Sequence, residues 1–176
     1  MLMSKVLLYG TEILLIIFAV YLFSCYFDIF FTRRRGKGTL ITGCIIFTVW
    51  QLMILSVSAL PVYANISITI IVTLISVMTA YEGGFWNKCI FTFVFNAIWM
   101  MIETLSGYVL SSYCNQFIYP QAYEILGSFI SKFLFLILIF ALKKVFMNDE
   151  IKELSVKYSV MLVLIPTGSI YVMNEI

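Results

Sequence analysis

Three ionisable side chains lie inside stretches that are otherwise apolar, and they are the residues of this sequence whose chemistry needs a reason. Glu103 sits within FNAIWMMIETLSGY, Glu12 within TEILLIIFAVYLF and Lys132 within SFISKFLFLILIF. In lipid, a lone charge at the bilayer centre costs about 2.5–3.5 kcal/mol on insertion scales. Each of the three therefore needs a partner inside a helix bundle. At ~1.5 Å rise per residue, Glu103 lies roughly 13 Å below the outer end of its run, Lys132 roughly 15 Å and Glu12 roughly 10 Å. The runs holding Glu103 and Lys132 are adjacent in sequence and joined by a short loop, so they are expected to pack antiparallel. A Glu103–Lys132 pair follows, with Glu12 nearby. Two roles stay open. The pair either fixes helix register, or it lines an outward-facing pocket and couples ligand arrival to helix movement. Asn96 precedes Glu103 by seven residues, which puts the two on one helix face, two turns apart. Asp28 is five residues from Arg33 and reads as interfacial, within reach of headgroups or of the basic cluster.

Other chemistries are removed by what the chain lacks. It has no histidine, so Ser-His-Asp and Cys-His catalysis, histidine metal sites and a phosphoacceptor histidine are excluded here. Cys25, Cys44, Cys89 and Cys114 form no C-x-x-C, and three of them lie in or beside apolar runs. No disulfide framework, metal site or cofactor is expected, and the chain reads as a non-enzyme. Paired acids of an intramembrane protease would be the remaining route, and Glu12 with Glu103 offers only a remote version of it. A net charge of +2, dispersed along the chain, gives no footprint for nucleic acid.

The elements that must position these residues are membrane helices. The 176-residue chain is 62% hydrophobic and 11% charged, against roughly 25% charged in a soluble domain. The expected fold is all-α, a polytopic membrane helix bundle of about six transmembrane helices at approximately 6–31, 39–59, 62–80, 88–112, 122–142 and 158–176. Arg33, Arg34, Arg35 and Lys37 follow the first run, and Lys88 precedes the fourth. Lys143, Lys144, Lys152 and Lys157 lie between the fifth and sixth, while the alternate connections carry no Lys or Arg. This positive-inside pattern predicts a multi-pass protein of the cell membrane. Its N-terminus lies outside, and Arg33, Arg34, Arg35 and Lys37 anchor it on the cytoplasmic side, with Lys5 the one dissenting charge. Tyr113, Phe117, Tyr119 and Tyr123 gather at the outer boundary, either as an interfacial aromatic belt or as a platform for an apolar ligand. Gly107-x-x-x-Ser111 and Gly127-x-x-x-Ser131 have the spacing of close helix approach, which leaves a homodimer through helix packing open. The sixth run starts in the cytoplasm and is heading outward where the sequence stops, so a chain truncated ahead of further segments is expected.

This layout resembles the membrane sensor region of accessory-gene-regulator-type quorum-sensing histidine kinases, the Firmicutes group with GHKL-type ATPase domains. The resemblance rests on TEILLIIFAVYLFSCYFDIFFTRRRGKG, on TAYEGGFWNKCIFTFVFNAIWMMIE and on LIPTGSIYVM, in that order and spacing. It implies a receptor for an extracellular peptide, cut before the dimerisation helix and the ATP-binding domain. The lipid bilayer and an extracellular peptide or other small ligand are then the partners. The family's ligand contacts are not a fixed motif, so the ligand-binding or signal-coupling candidates come from this sequence: Glu12, Glu103, Lys132, Asn96, Tyr113, Phe117 and Tyr119. The alternative is a small integral-membrane substrate-binding component of a transporter, which six spans of this length would also suit.

Overall fold

The structure, a computed structural model, describes residues 2–56, 61–113 and 120–146. Five helices follow one another: α1 Leu2–Phe30, α2 Lys37–Ser56, α3 Val62–Ala80, α4 Phe85–Tyr113 and α5 Pro120–Phe146. Their sequences are Ile-, Leu- and Phe-rich on every side, the pattern of helices apolar all round. Pro61 sets the start of α3. Tyr81-Glu82-Gly83-Gly84 separates α3 from α4, and Gly83 has φ +137°, a conformation that side chains oppose.

Among the described residues, four stretches are long and apolar enough to cross a membrane: Tyr9–Phe30, Tyr63–Ala80, Phe85–Leu110 and Ile125–Lys144. This is consistent with a membrane protein. The apolar part of α2, Gly38–Ile54, is shorter. The run expected at 39–59 reaches residues outside those described, and the run at 158–176 lies wholly outside them. One boundary differs in substance. The sequence pattern puts Lys88 in the connection before the fourth run, but α4 begins at Phe85 and Lys88 is buried inside it. The helix starts as soon as the two glycines end, and the Lys88 amide already bonds the Gly84 carbonyl at 3.2 Å.

The helices pack in chain order, and α5 closes back against α1. The tightest seam joins α2 to α3. A Cβ on Gly43 would stand 2.7 Å from the Ser76 carbonyl oxygen and 2.8 Å from the Ala80 Cβ. Along the same seam the Trp50 indole N–H donates to the Thr69 hydroxyl at 3.0 Å. The two small-residue spacings of the sequence fare differently. Gly127 abuts Leu110 of α4, with a Cβ there 3.2 Å from Leu110 Cδ1, whereas a Cβ on Gly107 would meet nothing.

The core is aromatic. Phe23, Tyr26, Phe27, Phe47, Phe95 and Phe135 come from α1, α2, α4 and α5, and all are fully buried. Phe23 lies 4.7 Å from Phe47 and 4.9 Å from Phe27, centroid to centroid. The outward faces are apolar as well: Ile13, Ile17, Ile41, Ile71, Phe133 and Ile137 are exposed. Apolar surface inside and outside together fits lipid as the surrounding solvent.

The connections 31–36 and 81–84 meet at one end of the bundle. Arg33 and Tyr81 form an antiparallel bridge. The Arg34 amide donates to the Ala80 carbonyl at 3.0 Å, and the Glu82 amide to the Thr32 carbonyl at 2.9 Å. The end of α5 joins them, with the Phe146 ring 5.0 Å from Phe30. Arg33, Arg34, Arg35, Lys143 and Lys144 are thereby gathered at the same end.

Candidate functional site

Trp99 and Glu103 are four residues apart on α4 and so share a face. Opposite them, α5 presents Lys132. The Lys132 Nζ lies 5.4 Å from the Trp99 ring centroid, within reach of a cation–π contact. It lies 3.8 Å from Glu103 Oε1, beyond the 2.7–3.2 Å of a hydrogen bond. The two ends of this pair live in different surroundings. The Lys132 side chain is 10% exposed and that of Glu103 is 46% exposed. The ammonium is therefore fixed by the indole face and the packing around it. The carboxylate is only loosely engaged and keeps most of its capacity to accept hydrogen bonds. Below it, the Trp99 ring packs at a tilt against Phe95 at 5.5 Å and Phe135 at 5.3 Å, so the site stands directly on the aromatic core. One turn beyond Glu103, the Ser106 hydroxyl oxygen is buried with no hydrogen-bond partner among the described residues.

The other candidates named from the sequence separate. Asn96 does not engage Glu103. Its side-chain N–H donates to the Thr92 carbonyl at 2.8 Å, and its Oδ1 receives the Thr73 hydroxyl of α3 at 3.5 Å. Glu12 is half-buried on α1 and is in neither of the ion pairs found among the described residues. Tyr113 is the last residue of α4, and its side chain is outside the description; Phe117 and Tyr119 lie outside the described residues altogether.

A second polar centre ties the basic end together, and the sequence showed only part of it. Asp28 receives Arg33 in two-point fashion, through Nε at 2.8 Å and through Nη2. The Tyr81 phenol donates to Asp28 Oδ1 at 3.2 Å and to the Ser24 carbonyl at 3.3 Å. Lys88 Nζ donates to the Tyr81 carbonyl at 2.7 Å. That carbonyl closes α3, where the helix dipole favours a cation. The hydrogen bond to Asp28 holds the Arg33 guanidinium above its ordinary pKa. Burial, then the Asp28 charge and hydrogen bond, push the Tyr81 phenol well above the ordinary phenol value, with Arg33 acting weakly the other way. Asp28 thus joins the basic cluster, as its spacing allowed. Arg34 and Arg35 remain exposed beside it, and Lys37 opens α2 with its side chain outside the description.

Tyr81, Lys88 and Trp99 are the residues that sequence reasoning misses. A tyrosine immediately before a Glu-Gly-Gly break and a tryptophan one turn before an acid in an apolar run are the available signals. Compared with known proteins, the chain has no significant match to a protein-family model, to a curated protein or to a solved structure.

Proposed function

We propose that the chain is the membrane-embedded sensor region of a two-component signalling kinase that detects an extracellular peptide. In this reading six spans thread the cell membrane, with the N-terminus outside and the Arg33–Lys37 connection inside. One observation carries it: Glu103 is half exposed and only loosely paired, while Lys132 is buried and held independently by Trp99. A cationic group of a ligand, such as a peptide amine, can take the Glu103 carboxylate without expelling Lys132 from the bundle. Competition for Glu103 then alters the α4–α5 contact. Differential affinity for two arrangements of that contact is what a receptor needs in order to shift a population. The chain has no histidine, so phosphorylation output belongs to segments other than this one.

The test is the gene followed by the protein. A reading frame continuing into a helix with a phosphoacceptor histidine and an ATP-binding domain sustains the proposal. A stop codon beside genes for a transport ATPase overturns it in favour of a substrate-binding transport subunit. In the full-length protein, Glu103→Gln is expected to abolish peptide-dependent phosphorylation while leaving basal phosphorylation in place.

A further inference from the structure

A cavity of about 350 Å³ opens between α1 and α5, and the proposed sensing role makes no use of it. Tyr21, Cys25 and Asp28 line it from α1, and Leu136, Phe140 and Lys143 from α5. Its polarity is graded along the helix axis. Asp28 and Lys143 stand two and three residues from the ends of their helices, at the end where the cationic connections gather. Leu136 and Tyr21 stand nine to ten residues in from those ends, roughly 13–15 Å at the rise of an α-helix. From the mouth at Asp28 and Lys143 the slot runs seven residues inward, roughly 10 Å, which is most of one leaflet of a hydrocarbon core about 30 Å thick.

The charge balance at the mouth selects an anion. Asp28 is taken up by Arg33 and Tyr81. Lys143 has no ion-pair partner among the described residues, and Lys144 and Arg34 are exposed at the same end. Among the described residues, Glu82 is the exposed acid there. A basic mouth above a mostly apolar slot that reaches most of the way through one leaflet suits the headgroup and one chain of an anionic phospholipid.

We propose that the α1–α5 cleft is a binding site for an anionic phospholipid, its phosphate at Lys143 and one acyl chain lying along Leu136 and Phe140. The phosphate position at Lys143 lies about three helical turns along α5 from Lys132, and its occupancy is independent of any peptide. It does rest on the chain standing in a bilayer.

The test uses the full chain in detergent, with phosphatidylglycerol or phosphatidylcholine added and bound lipid counted by native mass spectrometry. The expected result is retention of one phosphatidylglycerol at least tenfold more strongly than phosphatidylcholine. Lys143→Gln and the cleft-filling Leu136→Trp are each expected to cut that retention at least threefold. Arg35→Gln removes the same charge at the same end but away from the cleft, and is expected to keep more than half of it. Equal retention of the two lipids overturns the proposal, as does an equal loss in Arg35→Gln and Lys143→Gln. Inorganic phosphate that displaces the lipid at millimolar concentration also overturns it, because the site would then be an anion site without a chain slot.

Discussion

The Lys88 ammonium donates to the carbonyl of Tyr81 across 2.7 Å, from a side chain that is almost fully buried. It joins the start of α4 to the carbonyl of the residue that caps α3, so removing it leaves a buried acceptor unsatisfied. Such an orphan costs about 1–3 kcal/mol. Lys88→Met is therefore expected to lower the thermal midpoint of the purified protein more than Arg35→Met, and circular dichroism melts in detergent compare the two.

The Lys132–Glu103 pair is asymmetric in burial, and its substitutions should be asymmetric too. Glu103→Gln leaves the buried ammonium held by the Trp99 ring alone, whereas Lys132→Met replaces it with an apolar side chain of similar length. The exposure of Glu103 limits the coupling to the range of surface pairs, about 0.2–1 kcal/mol. Glu103→Gln is expected to be the more damaging single change, and the double variant less damaging than the two losses added. A double-mutant cycle of unfolding free energies measures this, and zero coupling would show the contact to be without energetic consequence.

Two glycines give opposite predictions. Gly43→Val forces a Cβ into the Ser76 carbonyl and the Ala80 side chain. Overpacking of this kind costs typically about 1–3 kcal/mol. Gly107→Ala meets open space and gains helix propensity of up to about 1 kcal/mol. Destabilisation by the first and a neutral or stabilising second substitution is the expected result, read as the shift in thermal midpoint.

Much of this is legible in the sequence, and the rest is not for identifiable reasons. The apolar runs mark the helices because long Ile/Leu/Phe stretches leave few alternatives. The meeting of Glu103 with Lys132 follows from depth and chain adjacency. Helical spacing puts Asn96 on the same face as Glu103, and Asn96 bonds Thr73 of α3, because α4 packs against both α3 and α5 and one face can serve two neighbours at different heights. Lys88 reads as a solvated charge; nothing in its neighbours announces that a carbonyl at the end of α3 takes it in. The Gly43 seam is hidden because its small partners, Ser76 and Ala80, sit on another helix, so no pattern within α2 shows them.

Alkaline pH should loosen the basic end. An ordinary phenol titrates near pH 10, and the folded Tyr81 is raised above that value. A group raised on folding gives its full stabilisation below its unfolded pKa and loses it as pH rises toward the folded one. The difference in stability between the wild-type chain and Tyr81→Phe is therefore expected to be constant from pH 7 to about pH 9 and to shrink above about pH 10. Denaturant midpoints at a series of pH values check the sign.

The bridge between Arg33 and Tyr81 has a mechanical consequence. With Asp28 and Lys88 added, the ends of α1, α3 and α4 are riveted by directional bonds. The contacts described for α5 are rings, an apolar seam and one long ion pair. Directional bonds fix position within tenths of an ångström, whereas apolar seams tolerate slip. A push applied at the far end of the molecule would thus turn α5 as a tiller against a stationary hull.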